Sequence, residues 1–384
     1  MRIAIDFTAF IPQMTGVDTY LKQLVLHLAK VDQCNQYMIY HNYEDRRFFA
    51  SDLPVNFSHA SISARSRPIR IISQQMILPV AASGWKADVV HSPSFIMPYL
   101  RGTARHVLTV HDMTSFSHPE HHIALRRSRL YRQMVLGSLR RTDLVIVPSQ
   151  ATRQAILEFL PDLQPDRIHV TVPGIGEEFR SCDPASIREV ITRLMLPQPY
   201  ILYVGTLEPR KNLPALVESY RRLVEAGAIK EHLVLAGKLG WGYEALLKQI
   251  DVPALRGKVH LAGYVDQQDL PAVYSGARLF VYPSLHEGFG FPPLEAMACG
   301  VPVISTLSSS LVENLAGVAE LVSPDDVAAL ADAIRRVLAD ETLWAKRRAQ
   351  GLEQASHYRW NRTARETLKS YQAAMGIERR RGNG

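Results

Sequence analysis

Two adjacent cations and a pair of spaced carboxylates are the side chains in this sequence best suited to chemistry. Arg210 and Lys211 follow the apolar run Tyr200–Thr206, with Gly205 at the turn, and precede a helical pattern over Leu213–Val224. Fixed positive charge beside the unpaired N–H groups of a helix start makes an anion site. Glu287 and Glu295 have seven residues between them and flank Gly288-Phe289-Gly290-Phe291-Pro292-Pro293. Gly288 and Gly290 let the backbone approach a ligand closely. The two prolines fit a helix start, which predicts Glu295 in the first turn, pointing back at that ligand. Two carboxylates across such a turn suit a polyol, since each accepts hydrogen bonds from vicinal hydroxyls. A first-turn glutamate is also a plain cap, but that leaves Glu287 and the paired glycines unexplained.

The first half offers fewer such groups. His111 closes the run His106–Asp112, and a strand-end histidine is a functional candidate. His91 closes the preceding run and could line the same site. Thr15-Gly16 follows the first run and resembles a phosphate-facing turn, although a tight turn alone also explains it. Other chemistries are discounted by what is missing. The chain has no Asp-x-Asp, no His-Glu-x-x-His and no Gly-x-x-x-x-Gly-Lys-Ser/Thr. It has no Gly-x-Ser-x-Gly elbow, and no Gly-x-Gly-x-x-Gly in the first turn. Three cysteines (Cys34, Cys182, Cys299) without a Cys-x-x-Cys pair exclude a disulfide scaffold and a zinc site.

The elements that must carry these residues repeat. Short apolar, β-branched runs alternate with helical patterns along the whole chain. Six fall in the first half, at Arg2–Phe7, Tyr37–His41, Ala87–Pro93, His106–Asp112, Asp143–Ser149 and Ile168–Gly174. Six more follow at Tyr200–Thr206, His232–Gly237, Val259–Val265, Ala277–Ser284, Val301–Leu307 and Val318–Pro324. Continuous apolar runs of this length read as parallel strands buried on both faces. The pattern predicts an α/β protein of two doubly wound, Rossmann-like domains facing one another across an interdomain cleft. The expected domains are residues 1–185 and 186–358, followed by 359–384, a helix that could return to the first domain and a basic tail.

Composition narrows the class. Of 384 residues 47% are hydrophobic and 21% charged, which excludes a disordered chain. The start carries Asp6 and no long apolar run, so no signal peptide or membrane span is expected and the reading is cytoplasmic. The formal charge is +7, and the segment Arg65–Arg141 alone holds 12 cations against three acids. Within it, Ile123–Thr142 interleaves arginines with Leu, Met, Tyr and Val, as a basic amphipathic helix suited to anionic lipid would. A solvated helix face is the plainer alternative. Nucleic acid is the other polyanion to weigh, but no helix-turn-helix signature or aromatic-rich surface supports it.

These motifs resemble those of the retaining glycosyltransferases of family four, which have the GT-B fold. The likeness is clearest over Tyr200–Ala339, in Glu287-x7-Glu295, in Gly-Thr-Leu-Glu-Pro-Arg-Lys-Asn, and in Asp269–Ala277. The resemblance implies a nucleotide-sugar donor as substrate, and no cofactor or metal. It implies that Arg210 and Lys211 hold the donor diphosphate, Glu295 the ribose and Glu287 the transferred sugar. Gly288, Phe289 and Gly290 would touch sugar and phosphates by their backbone, and Tyr264 and Val265 would border the base. His111 would lie near the anomeric centre, and Gly16 would face the diphosphate. Two departures stand out: Thr15 replaces the first of a common glycine pair, and Leu311-Val-Glu-Asn314 replaces a common Pro-Glu-Val.

Within the family the chain looks most like bacterial mannosyltransferases that build lipopolysaccharide O-chains or exopolysaccharide. That implies GDP-mannose and a lipid-linked or oligosaccharide acceptor at the inner face of the plasma membrane. UDP-glucose and UDP-N-acetylhexosamines are the alternative donors, and a same-fold sugar-nucleotide epimerase is a further reading. Acceptor contacts are expected from Phe95–Leu100 and Thr114–His122.

Overall fold

The computed structural model describes residues 1–10, 16–49, 53–117 and 129–377. It divides into two compact units, one formed by Met1–Gly174 with the segment from Arg359, the other by Ile175–Tyr358. Ile175, Phe179 and Ile191 pack into the core of the second unit, so the division falls ahead of the Pro-punctuated stretch 177–200.

In the first unit the strands are β1 (Arg2–Asp6), β2 (Gln36–Asn42), β3 (Phe57–Ser63), β4 (Val89–Ser92), β5 (Arg105–Thr109), β6 (Leu144–Val147) and β7 (Ile168–Val170). They form a parallel sheet in the order β3-β2-β1-β4-β5-β6-β7. The second unit has β8 (Tyr200–Val204), β9 (His232–Ala236), β10 (Val259–Gly263), β11 (Leu279–Tyr282), β12 (Val303–Thr306) and β13 (Glu320–Val322). Its order is β10-β9-β8-β11-β12-β13, again all parallel. Both orders reverse direction once, between β1 and β4 and between β8 and β11, the doubly wound arrangement whose ligands bind beyond the strand carboxyl ends.

The strand runs are apolar because helices cover both faces: β4, β6, β11 and β12 are buried at every position. The first sheet has one strand more than the six expected. β3 reads Phe-Ser-His-Ala-Ser-Ile-Ser and lies at the sheet's edge, where only its end residues, Phe57 and Ser63, are buried. An edge strand needs no apolar run, which is why periodicity passes over it.

The last helix, Trp360–Gly376, belongs to the first unit. It packs on the helix Gly16–Val31, and its Tyr371 OH is 2.8 Å from His91 Nδ1 on β4. At Gly174 a Cβ would come 2.1 Å from Trp360 N, so the outgoing and returning strands of chain cross where a side chain has no room. Immediately beyond, Ile175 N donates to Tyr358 O at 3.1 Å.

The structure describes part of the basic segment 123–142. Residues 123–128 lie outside the described residues, as does the Arg-rich tail from 378 onward. The helix Arg129–Arg141 turns Val135 and Leu139 into the core, and Arg132 and Arg141 lie over the rings of Phe116 and Tyr99. Its main apolar residues therefore serve packing. Among the described residues no helix is long and apolar enough to cross a membrane.

Candidate functional site

The switch point of the second sheet gathers the cations and one of the two carboxylates. After β8 the chain turns through a short 3-10 segment, Pro209–Lys211, into the helix Leu213–Glu225. Asn212 joins them at φ 54°, a left-handed conformation Asn tolerates, and its Nδ2 donates to Pro324 O at 2.8 Å. After β11, the loop from Pro283 carries Glu287 to the same place. Lys211 Nζ donates to Glu287 Oε1 at 2.5 Å and to Tyr282 OH at 2.7 Å. Arg210 donates through Nη1 to Glu287 Oε2 at 3.1 Å and to His286 O at 2.9 Å, and through Nη2 to Glu208 Oε1 at 2.9 Å. Tyr282 OH and Ser284 Oγ donate to Glu287 Oε1 at 2.9 and 2.6 Å. Ser309 and Ser310 each donate to Glu287 O, at 3.0 and 2.9 Å.

The electrostatics follow from this packing. Burial pushes the Glu287 carboxyl upward, but the Lys211 and Arg210 cations, with hydrogen bonds from Lys211 and Ser284, outweigh it and hold the group far below the usual carboxylate range. Burial lowers the Lys211 ammonium below its ordinary value, and Glu287 opposes that shift. Two cations and the carboxylates of Glu287 and Glu208 make a formally neutral cluster. The expected cationic pair is therefore charge-compensated as it stands.

Glu295 sits apart from this cluster. The helix Phe291–Ala298 has Pro at its start and Gly290 as N-cap at φ 89°, and Glu295 is its fifth residue, not a first-turn residue. The capping explanation falls with that position. Glu295 Oε2 instead accepts from Tyr274 OH at 3.0 Å. Burial raises its pKa to about 7, a shift that the Tyr274 bond restrains and Glu178 assists.

The turns around these groups are close-packed. Gly205 N donates to Ala236 O at 2.9 Å, and Gly237 N to Gly263 O at 2.7 Å. At Gly237 (φ +147°) a Cβ would lie 1.9 Å from Gly205 O. Phe289 turns its ring into the core against Phe291 and Tyr358, leaving its backbone to the loop. Beyond β10, Tyr264 is exposed with Lys238 Nζ 4.7 Å from its ring centre, while Val265 is buried.

The first unit contributes a separate group. His111 lies beyond β5, edge-on to Tyr20 at 4.9 Å and to Phe95 at 5.8 Å. Its Nε2 is 2.9 Å from Pro93 O, so that nitrogen is the donor. Burial keeps the ring below the ordinary histidine range, hence neutral, with Nδ1 as an acceptor. Gly16 opens the helix Gly16–Val31 and is exposed; Thr15 lies outside the described residues. His91 does not line a site. It is fully buried with its ring nitrogens at 2.8 Å from Tyr371 OH and Thr109 Oγ1, and burial lowers its pKa to about 3.

Comparison with known proteins agrees with this architecture. A sequence model of Glycosyltransferase Family 4 matches residues 14–179, and one of Glycosyl transferases group 1 matches residues 190–356. An O-antigen chain mannosyltransferase B of Escherichia coli is 31% identical over 373 residues, covering 93% of this chain and 96% of that protein. The chain belongs to glycosyltransferase family 4. The serotype-specific mannosyltransferase WbdA of Escherichia coli is 28% identical over 85% of this glycosyltransferase, which spans 41% of that longer relative. Among solved structures, a sucrose-phosphate synthase from Thermosynechococcus elongatus superposes with a TM-score of 0.78 at 20% identity, covering 98% and 99% of the two chains. HepE of Anabaena, solved with UDP and glucose, gives 0.75 at 17%, covering 97% and 100%. These last two show the shared fold.

Sequence reasoning missed the residues that hold the carboxylates. Tyr282 and Ser284 lie five and three positions before Glu287 and act on it only once the loop folds back. Tyr274, which holds Glu295, stands in the run Asp269–Ala277 that carried part of the resemblance, so that signal was present without a role.

Proposed function

We propose that this glycosyltransferase moves a mannosyl residue from GDP-mannose to a lipid-linked or nascent surface polysaccharide, retaining the anomeric configuration and requiring no metal ion. The observation that carries this reading is the Arg210–Lys211–Glu287 cluster at the β8/β11 switch point, in a chain alike over most of its length to an O-antigen mannosyltransferase. Arg210 and Lys211 donate hydrogen bonds to the diphosphate as its bond to the sugar breaks, each such contact lowering the barrier by about 3 kcal/mol. Glu295 takes the ribose hydroxyls and Glu287 those of the sugar, while the Gly288–Gly290 backbone approaches sugar and phosphates. Tyr264 and Val265 border the base. We assign Gly16 to the diphosphate and His111 to a sugar hydroxyl, from which Nδ1 accepts a hydrogen bond.

The leaving phosphate oxygen takes the proton of the attacking acceptor hydroxyl on the same face, so no carboxylate becomes a covalent nucleophile. Glu287 is unsuited to that role, because Lys211, Tyr282 and Ser284 hold Oε1 and the two cations stabilise its charge, while Oε2, with Arg210 on it, has capacity to accept a sugar hydroxyl. Work at the cytoplasmic face of a membrane fits such an acceptor. The test is a donor screen on purified protein with a lipid-linked oligosaccharide, run with and without a chelator. Consumption of GDP-mannose with an α-linked product, unchanged by chelator, is the expected result. Consumption of a UDP-sugar instead, inversion, loss of activity in chelator, or conversion of the sugar-nucleotide without acceptor would each overturn the reading.

A further inference from the structure

One helical stretch of the first unit is patterned inside out. Three consecutive segments, Arg67–Ile72, a π turn at Ser73–Ile77, and Leu78–Gly84, follow β3. Ile69, Ile72, Met76, Ile77 and Val80 are 45% to 69% exposed, whereas Ser73 and Gln74 are buried. A helix on a soluble domain ordinarily turns its apolar stripe to the core. Here polar bonds hold the opposite roll. Gln74 Nε2 donates to Asp6 Oδ2 at 2.6 Å and to Ile96 O at 3.1 Å. Gln75 donates to Met97 O at 3.2 Å and accepts from Tyr99 N at 2.9 Å. Leu78 and Ala82 complete the inward face in a small core cluster. The five apolar residues cannot rotate inward without breaking these bonds, and π turns of this kind recur at functional positions.

A contiguous exposed apolar stripe marks an interaction surface. Its charge surroundings select the partner. Residues 65–87 contain Arg65, Arg67, Arg70 and Lys86 and not one Asp or Glu; Arg65 is compensated by Asp45 at 2.6 Å, so the segment's excess positive charge rests with the other three. A second copy of this chain would set cation against cation, whereas an anionic bilayer offers acyl chains to the stripe and headgroups to the cations. The position also matters. Gln74 reaches Asp6 at the end of β1 and Ile96 beyond β4, so the middle of this helix lies at the carboxyl edge of the first sheet. His111 bonds to Pro93 O at that same edge.

We propose that the outward face of residues 67–84 is a membrane-docking surface for anionic lipid. It brings the carboxyl edge of the first sheet to the bilayer, where a lipid-linked acceptor is found. The acceptor part rests on the proposed function; the surface does not. This places the lipid contact on a different element from the arginine-rich helix Arg129–Arg141, which turns most of its apolar residues to the core and exposes Leu130.

The experiment is co-sedimentation of the full chain with phosphatidylglycerol/phosphatidylcholine vesicles and with pure phosphatidylcholine vesicles. The expected result is at least about fivefold more protein bound to the anionic vesicles, diminishing with salt. The triple variant Ile72→Glu, Met76→Glu, Val80→Glu should lose binding by about tenfold or more. A neutral triple, Ile72→Ser, Met76→Ser, Val80→Ser, guards against a folding defect and should also lose binding, with an unchanged circular dichroism spectrum. Equal binding to both vesicle types, or wild-type binding by the folded serine triple, overturns the proposal. So does a dimer of the free protein that the same variants dissolve. Donor turnover onto a water-soluble oligosaccharide separates the two readings. A protein that pellets through the stripe but turns over no sugar-nucleotide refutes the proposed function and leaves this surface standing.

Discussion

Replacing Lys211 tests whether the cluster at the β8/β11 switch point behaves as one coupled unit. Its Nζ lies 2.5 Å from Glu287 Oε1 and 2.7 Å from Tyr282 OH, in a residue 7% exposed. A hydrogen bond to a charged group contributes about 1.5–3 kcal/mol, and stranding one partner of a buried pair costs about 3–5 kcal/mol. Glu287 keeps Arg210, Tyr282 and Ser284, so Lys211→Met should destabilise the second unit by only about 2 kcal/mol. Glu287→Gln leaves two cations facing a neutral amide and should cost more, about 3 kcal/mol.

The double variant should cost about 3 kcal/mol rather than the sum, a coupling of about 2 kcal/mol. Hydrogen exchange read by mass spectrometry on peptides from β8 and β11 isolates this unit. The pH dependence has a definite sign. Because the Glu287 pKa is depressed below its ordinary value of 4.5, its stabilisation is present above that pH and is lost as the pH falls toward the depressed value. The gap between wild type and Glu287→Gln should thus hold steady from neutral pH down to about 5 and narrow only below about 4.5. Additive single effects, or a Lys211→Met cost under about 0.5 kcal/mol, would refute the coupled cluster.

Three further outcomes follow. If ionised Glu295 accepts donor hydroxyls, its pKa of about 7 makes donor affinity fall about tenfold per pH unit below neutrality. Tyr274→Phe should move that midpoint upward, and calorimetric Kd values indifferent to pH in both proteins would exclude Glu295 from the site. Gly237→Ala, with its Cβ 1.9 Å from Gly205 O, should cost about 3 kcal/mol or more in urea unfolding, whereas Gly257→Ala, with nothing within 4 Å, should cost about 1 kcal/mol. His91→Leu strands Tyr371 OH and Thr109 Oγ1 and should destabilise the first unit by about 2–3 kcal/mol, visible as faster exchange in the helix Trp360–Gly376.

Much of this architecture is legible in the sequence because parallel strands covered on both faces must be apolar throughout, as β8 and β11 are. β3 escapes notice for the converse reason, since an edge strand can be built from Ser and His. Motif spacing points to Glu287 and Glu295, yet it cannot say that one enters a cation cluster and the other a tyrosine bond. Those partners arrive from β11 and from the helix Leu270–Ser275, which only the folded chain brings near. Helix 67–84 shows the firmest limit. Apolar residues at 69, 72, 76, 77 and 80 recur at the helical spacing that ordinarily marks a core-facing stripe, and only the inward bonds of Gln74 and Gln75 reveal that they face out.

The crossing at Gly174 and Trp360 also bears on how the molecule is made. The first sheet is translated before the second unit, but the helix supplying Tyr371 to His91 and Ser370 to His169 is translated only after that unit. Until then the early sheet keeps buried polar groups without their partners and a bare apolar face. The second unit, contiguous from Ile175 to Tyr358, can complete itself first. Synthesis therefore runs against the usual order: the unit begun first is completed only after the second, and loss of residues 360–376 damages the first unit.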